Sequence, residues 1–110
     1  MTRNTGGISE VDLVIPALRL ASAAPDGRIS TTDLIKELTD IFQPAGKDDE
    51  IIPGRNDTYF SQKVRNLISH KDDATSFIAN GYANYWKESA RKGGIEITAK
   101  GRKLIKSLGA

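Results

Sequence analysis

The segment 56-NDTYFSQKVRNLISHK-71 decides how this chain is read. At about 100° per residue on a helical wheel, Phe60, Val64, Leu67 and Ile68 share one side in the i, i+4, i+7, i+8 pattern of a core-facing stripe. Thr58, Gln62, Arg65, Asn66 and Ser69 occupy the opposite face. That face carries amides, hydroxyls and a guanidinium and no carboxylate, which is the donor and acceptor set that base edges in a DNA major groove present partners for. The segment, about 57–71, is therefore expected to be a helix that packs with one face and reads DNA with the other. An amphipathic helix with an ordinary solvated face has the same inner stripe, so the neighbouring elements decide between the two.

Upstream, Ser9 and Asp12 form a capping-box pair for a helix with Val11, Val14, Leu18 and Ala21 at helical spacing. Pro16 is expected to delay its regular part to about Leu13, because an interior proline costs about 3 kcal/mol. The cluster Ala24-Pro25-Asp26-Gly27 ends this helix, and Arg28-Ile29-Ser30 is short enough for one small strand. Ser30 and Asp33 repeat the cap signal ahead of a second helix with Leu34, Ile35, Leu38, Ile41 and Phe42 inward; Pro44 and Gly46 stop it. From Lys47 to Asp57 a long connection with room for one helical turn is expected. There Ile51 and Ile52 should tuck onto the core, and the run Asp48-Asp49-Glu50 should be solvated.

Downstream of the central segment, Asp72 and Asp73 can cap a short piece, Ala74 to Ala79, that stops at Asn80-Gly81, with Phe77 and Ile78 inward. YANYW (Tyr82–Trp86) and GIEIT (Gly94–Thr98) are rich in strand formers, and the residues between them, with Lys87, Arg91 and Lys92, read as the basic tip of a hairpin. A last helix, Ala99 to Leu108, should turn Leu104, Ile105 and Leu108 inward. The fold class expected is α+β, mainly α. Its element order is that of a winged helix-turn-helix: three helices, a two- or three-stranded wing at about 82–98, and a C-terminal helix. Residues 1–8 read as a loose terminus and 9–110 as the domain.

Charge is divided unevenly along the 110 residues. Residues 1–53 carry five Lys/Arg against nine Asp/Glu, or −4, and residues 54–110 carry eleven against five, or +6, which together give the net +2. A basic second half suits a phosphate backbone. The chain has no cysteine, no apolar leader and no run of about 18 apolar residues, so it reads as a soluble cytoplasmic protein without a disulfide frame.

The quoted residues also carry a resemblance. IPALRLASAAPDGRISTTDLIKEL, YFSQKVRNLISH and GGIEITAKGRKLI resemble the N-terminal winged-helix domain of Mrr-type, modification-dependent restriction endonucleases. The shared pieces are Pro16 opening the first helix, Gly27 before the second, Phe60, Lys63 and Val64 in the third, and the I-T-x-x-G of Ile97, Thr98 and Gly101. Two departures stand out: SHKDDATSFIANG between the third helix and the wing, and the long loop from Gln43 to Asp57. The resemblance implies a DNA-reading module whose cutting domain lies elsewhere, as a fused or associated nuclease. It also implies modified DNA as a ligand, methylated cytosine included, with Tyr59 as the apolar contact for a methyl group.

The DNA-contacting set expected is Arg55, Asn56, Thr58, Tyr59, Gln62, Arg65, Asn66 and Ser69 at the helix and Lys87, Arg91 and Lys92 at the wing. Double-stranded DNA is the partner, and a homodimer is compatible with it. No catalytic residue, metal ligand or cofactor is expected. The sole histidine, His70, neighbours Ser69, but adjacent helical residues diverge by about 100° and cannot form a dyad. Gly93-Gly94 lacks the G-K-[ST] ending of a phosphate loop. The nuclease pattern of an acidic residue, any residue and lysine is absent too: Glu96 is followed by Ile97 and Thr98, and Lys100 stands too late. The competing function is a protein-interaction or dimerisation module using Tyr82, Tyr85 and Trp86.

Overall fold

In a computed structural model, residues 8–90 and 92–109 are described. Their order is α1 (Glu10–Ala23), β1 (Arg28–Ser30), α2 (Thr31–Phe42), a 3-10 turn (Gly46–Asp49), α3 (Tyr59–Ser69), β2 (Ala83–Ser89), β3 (Lys92–Ile97) and α4 (Ala99–Ser107). The described residues form an α+β arrangement with four α-helices and one antiparallel three-stranded sheet in the order β1-β3-β2.

The cap expected at Ser30 holds, and Thr58 and Thr98, not expected as caps, start α3 and α4 in the same way. Ser30 accepts from the Asp33 N–H at 3.1 Å, Thr58 from Ser61 at 3.0 Å and Thr98 from Gly101 at 3.0 Å, each cap satisfying a donor that the first helical turn leaves open. Before α1, the Ser9 N–H donates to the Asp12 carboxylate at 3.1 Å. Contrary to the expectation from Pro16, α1 is regular from Glu10 and carries the proline inside. Leu13 on one side of Pro16 and Ala17, Leu18 and Ala21 on the other are all fully buried, so packing offsets the missing hydrogen bond.

Phe60, Val64, Leu67 and Ile68 of α3 enter one core with Leu34 and Leu38 of α2, Ile29 of β1 and Ile95 and Ile97 of β3. Register aligns that layer: Ile95 stands opposite Ile29 on one side and Tyr85 on the other, and Ala83 opposite Ile97. Gly94 is needed where β1 and β3 meet, because a Cβ there would overlap the Ile29 carbonyl oxygen. Gly101 serves the same end in α4, whose backbone passes so close to the Tyr82 carbonyl that no side chain fits.

Several expectations are corrected. Ile51 is 57% exposed rather than tucked in; it forms an isolated bridge with Thr58, and Ile52 alone is half-buried. Asp48, read as solvated, is buried at 3% and is the described buried polar residue. The short piece Ala74 to Ala79, by contrast, is as expected: a series of turns that puts Phe77 in the core and Ile78 against it. Leu108 lies on the outside of α4's end, 51% exposed. The hairpin is also tighter than its charge suggests: Lys87 and Lys92 are strand residues, and a register irregularity falls between Lys87 and Ser89. Arg91 and residues 1–7 of the loose terminus read at 1–8 lie outside the described residues. Ile8 is held by its N–H to Asp48. Among the described residues no helix is long and apolar enough to cross a membrane.

Candidate nucleic-acid interface

Because α3 buries Phe60, Val64, Leu67 and Ile68, its opposite side must face out, and it does. Arg65 and Ser69 are exposed, and Gln62 and Asn66 are half-exposed beside them. Their polar ends are linked. Gln62 Nε2 donates to Asn66 Oδ1 at 2.8 Å, and Gln62 Oε1 accepts from Arg55 Nη2 at 2.5 Å. Arg55 comes from the loop before the helix, where Gly54 at φ +78° and the hydrogen bond from Ile52 N–H to Asp57 O fold the chain back toward α3.

The same loop contributes a group absent from the sequence reading of this face. Asp57 takes the Arg65 guanidinium as a fork, Nε to Oδ2 at 3.1 Å and Nη2 to Oδ1 at 3.2 Å, and lies 3.3 Å from Arg55 Nη2. The outer face of α3 is therefore not free of carboxylate. Thr58 is occupied as the cap, and its hydroxyl donates to Ser61 Oγ at 3.0 Å. The Ser69 hydroxyl donates to the Asn66 carbonyl at 3.4 Å. Asn56 is exposed next to the cap. Tyr59 sits apart from the Arg65 side: its half-buried ring lies under the Lys47 ammonium, 4.5 Å from nitrogen to centroid.

Beyond the last turn of α3, a groove of about 540 Å³ separates that helix from the hairpin. Arg65, Ser69 and Lys71 form one wall and Tyr85, Lys92 and Gly93 another, with Thr31 and Thr32 at the start of α2 closing the end. Thr31 ties the walls by donating to the Gly93 carbonyl at 3.2 Å, and the Lys71 ammonium lies 5.3 Å from the Tyr85 ring centre. Lys87 is exposed on β2, and Lys92 is 3.4 Å from Glu88 in an exposed pair, worth little in solution and easily exchanged. Of the expected residues, Arg65 and Ser69 thus line one concave surface with Lys92, while Arg55, Asn56, Thr58, Tyr59, Gln62 and Asn66 are not part of its lining. Lys71 and the two threonines were not singled out by the sequence because the groove forms between elements distant in the chain.

The aromatic residues considered for docking are divided between roles. Tyr82 packs half-buried against the core, Trp86 donates its indole N–H to the Ile95 carbonyl at 3.1 Å with Arg28 over its ring, and Tyr85 is 38% exposed in the groove. His70 Nδ1 lies 3.1 Å from Glu10 Oε1 rather than against Ser69. Among the described residues no group of three or more His, Cys, Asp or Glu is placed to hold a metal. Comparison with family models, with curated proteins and with solved structures gave no match.

Proposed function

We propose that this chain is a winged-helix module that binds double-stranded DNA, with α3 in the major groove and the β2–β3 hairpin against the backbone. The observation that carries this reading is the outer face of α3, where Arg65 is exposed and Gln62 and Asn66 half-exposed, Gln62 and Asn66 held by each other and by Arg55, Arg65 held by Asp57, with Lys71 and Lys92 beside Arg65. An α-helix with its side chains is about 10–12 Å across and the major groove about 12 Å wide, so an unobstructed helix of this kind fits. Gln62, Arg65, Asn66 and Ser69 face the bases; Arg55, Asn56 and Thr58 lie nearer the phosphates, with Lys87, Lys92 and Arg91 supplying charge along the backbone. The module supplies recognition and no catalysis, and works with a nuclease domain of the modification-dependent restriction type. Methylated cytosine is the modification to test first; Tyr59, half-buried under Lys47 and apart from the Arg65 side, is not placed to contact it.

The test is binding of wild type and Arg65→Ala to a duplex selected from a randomised pool, with and without methylated cytosine, and to a nonspecific duplex at the same salt. Loss of discrimination by about 1–3 kcal/mol with unchanged circular dichroism is expected. Equal loss on both duplexes would make Arg65 a phosphate clamp, and no loss on either would remove α3 from the interface.

A further inference from the structure

The Arg65–Asp57 fork does more than neutralise a charge. Asp57 engages the side edge of the guanidinium, Nε and one hydrogen of Nη2, at 3.1 and 3.2 Å. Both hydrogens of Nη1 and the second hydrogen of Nη2 remain, and one from each nitrogen forms the end edge of the same planar group. That edge has the spacing to meet the O6 and N7 acceptors of guanine while the carboxylate stays in place. Nothing on α3 itself could restrain Arg65 in this way. Its side chain is about half exposed, and a free arginine side chain carries a large rotamer entropy that each contact must overcome. Asp57 is well placed to restrain it: its side chain is only 21% exposed, its carbonyl is fixed by the Ile52 N–H, and its carboxylate is braced a second time by Arg55.

We infer that Asp57 is a positioning and specificity-determining residue that aims the free edge of Arg65 at a guanine and, by its own charge, disfavours binding to duplexes lacking that guanine. The inference rests on the duplex-binding reading above. Two effects of opposite sign follow from one carboxylate. Its geometry strengthens one base contact, whereas its negative charge beside the phosphates weakens every duplex complex. Removing it should therefore raise general binding and lower discrimination, a combination that loss of a merely structural residue does not produce.

The experiment is selection by the full chain from a randomised duplex pool at about 0.1 M salt, sequenced for base preference and measured for total retention, with melting curves for each variant. Wild type is expected to enrich guanine at one fixed position. Asp57→Asn should reduce that enrichment about tenfold, within the range of a bidentate base contact. It should also raise retention of the unselected pool about two- to threefold, the effect of one charge about 5 Å, or half a Debye length, from a phosphate. Asp57→Glu keeps the charge but displaces the fork, so it should lose guanine enrichment at wild-type retention, and it decides the matter should the asparagine variant fail to fold. Guanine enrichment unchanged in either folded variant, or a wild-type motif without guanine, overturns the inference and leaves duplex binding standing. A wild-type chain that retains no duplex overturns both.

Discussion

Replacing Lys63 with methionine tests how α3 is fixed to the rest of the chain. The Lys63 ammonium lies 2.6 Å from Asp48 Oδ1 and 2.5 Å from the Ile8 carbonyl, and the Ile8 N–H reaches Asp48 Oδ2 at 2.8 Å. Three separated pieces of chain therefore meet at one ion pair: the residue leading into α1, the 3-10 turn and the middle of α3. The partners are unequal. Asp48's side chain is 3% exposed on a short stem, whereas Lys63's is 26% exposed on four flexible carbons. Lys63→Met preserves side-chain bulk but leaves a buried carboxylate with one amide donor, a loss of about 3–5 kcal/mol. Asp48→Ala leaves an ammonium that can swing to water, so it should cost less, about 1–2 kcal/mol. Combining the two should cost less than Lys63→Met alone, since the stranded charge is gone. Urea denaturation followed by circular dichroism measures all three, and a domain of this size holds about 5–15 kcal/mol in total. If Asp48→Ala proves as costly as Lys63→Met, or if Lys63→Met loses under about 1 kcal/mol, the asymmetric burial argued here is wrong.

Leu67→Ala should cost about 2–5 kcal/mol in the same assay, because Leu67 is 7% exposed on the packed side of α3. Gly101→Ala should lower the melting midpoint by at least about 4 °C, since the new methyl must push α4 away from the Tyr82 carbonyl; an unchanged midpoint would mean that the helix can shift freely. Replacing Lys87, Arg91 and Lys92 together by alanine should weaken retention on every duplex about equally and flatten its salt dependence, whereas an effect confined to one sequence would make the hairpin a base reader.

Much of the fold is legible because its signals are local and agree with one another. The cap at Ser30 and the stripe from Phe60 to Ile68 need no knowledge of distant residues. Errors arise where a distant partner overrides a local rule. Pro16 argues against a helix interior, but four fully buried neighbours outweigh it. Asp48 belongs to an acidic run that ought to be hydrated, but the lysine that pairs it stands fifteen residues away. The charged stretch from Lys87 to Gly93 resembles a loop by composition. It is strand for most of its length because Gly94 allows β3 to lie against β1 and thereby supplies β2 with a partner.

The α3 surface illustrates the same division more sharply. A helical wheel places Gln62, Arg65, Asn66 and Ser69 together correctly, because 3.6-residue periodicity is all that placement requires. It misplaces Asp57, the expected first residue of the helix, because α3 starts only after the Thr58 cap and Asp57 lies off it. The loop from Ile52 to Asp57, with its glycine at positive φ, carries that carboxylate back onto the helix surface. Residues read as a face of independent donors thereby become one hydrogen-bonded array running from Asn66 through Gln62 and Arg55 to Asp57 and Arg65. Its members should consequently not contribute additively to binding. Arg55→Ala breaks the array in its middle, releasing Gln62 and one brace of Asp57 while leaving the Arg65 fork. Combined with Arg65→Ala, it should lose less than the two single losses added, as expected for groups acting through one network. Strict additivity on a selected duplex would show that Arg55 and Arg65 act separately, Arg55 through phosphate alone.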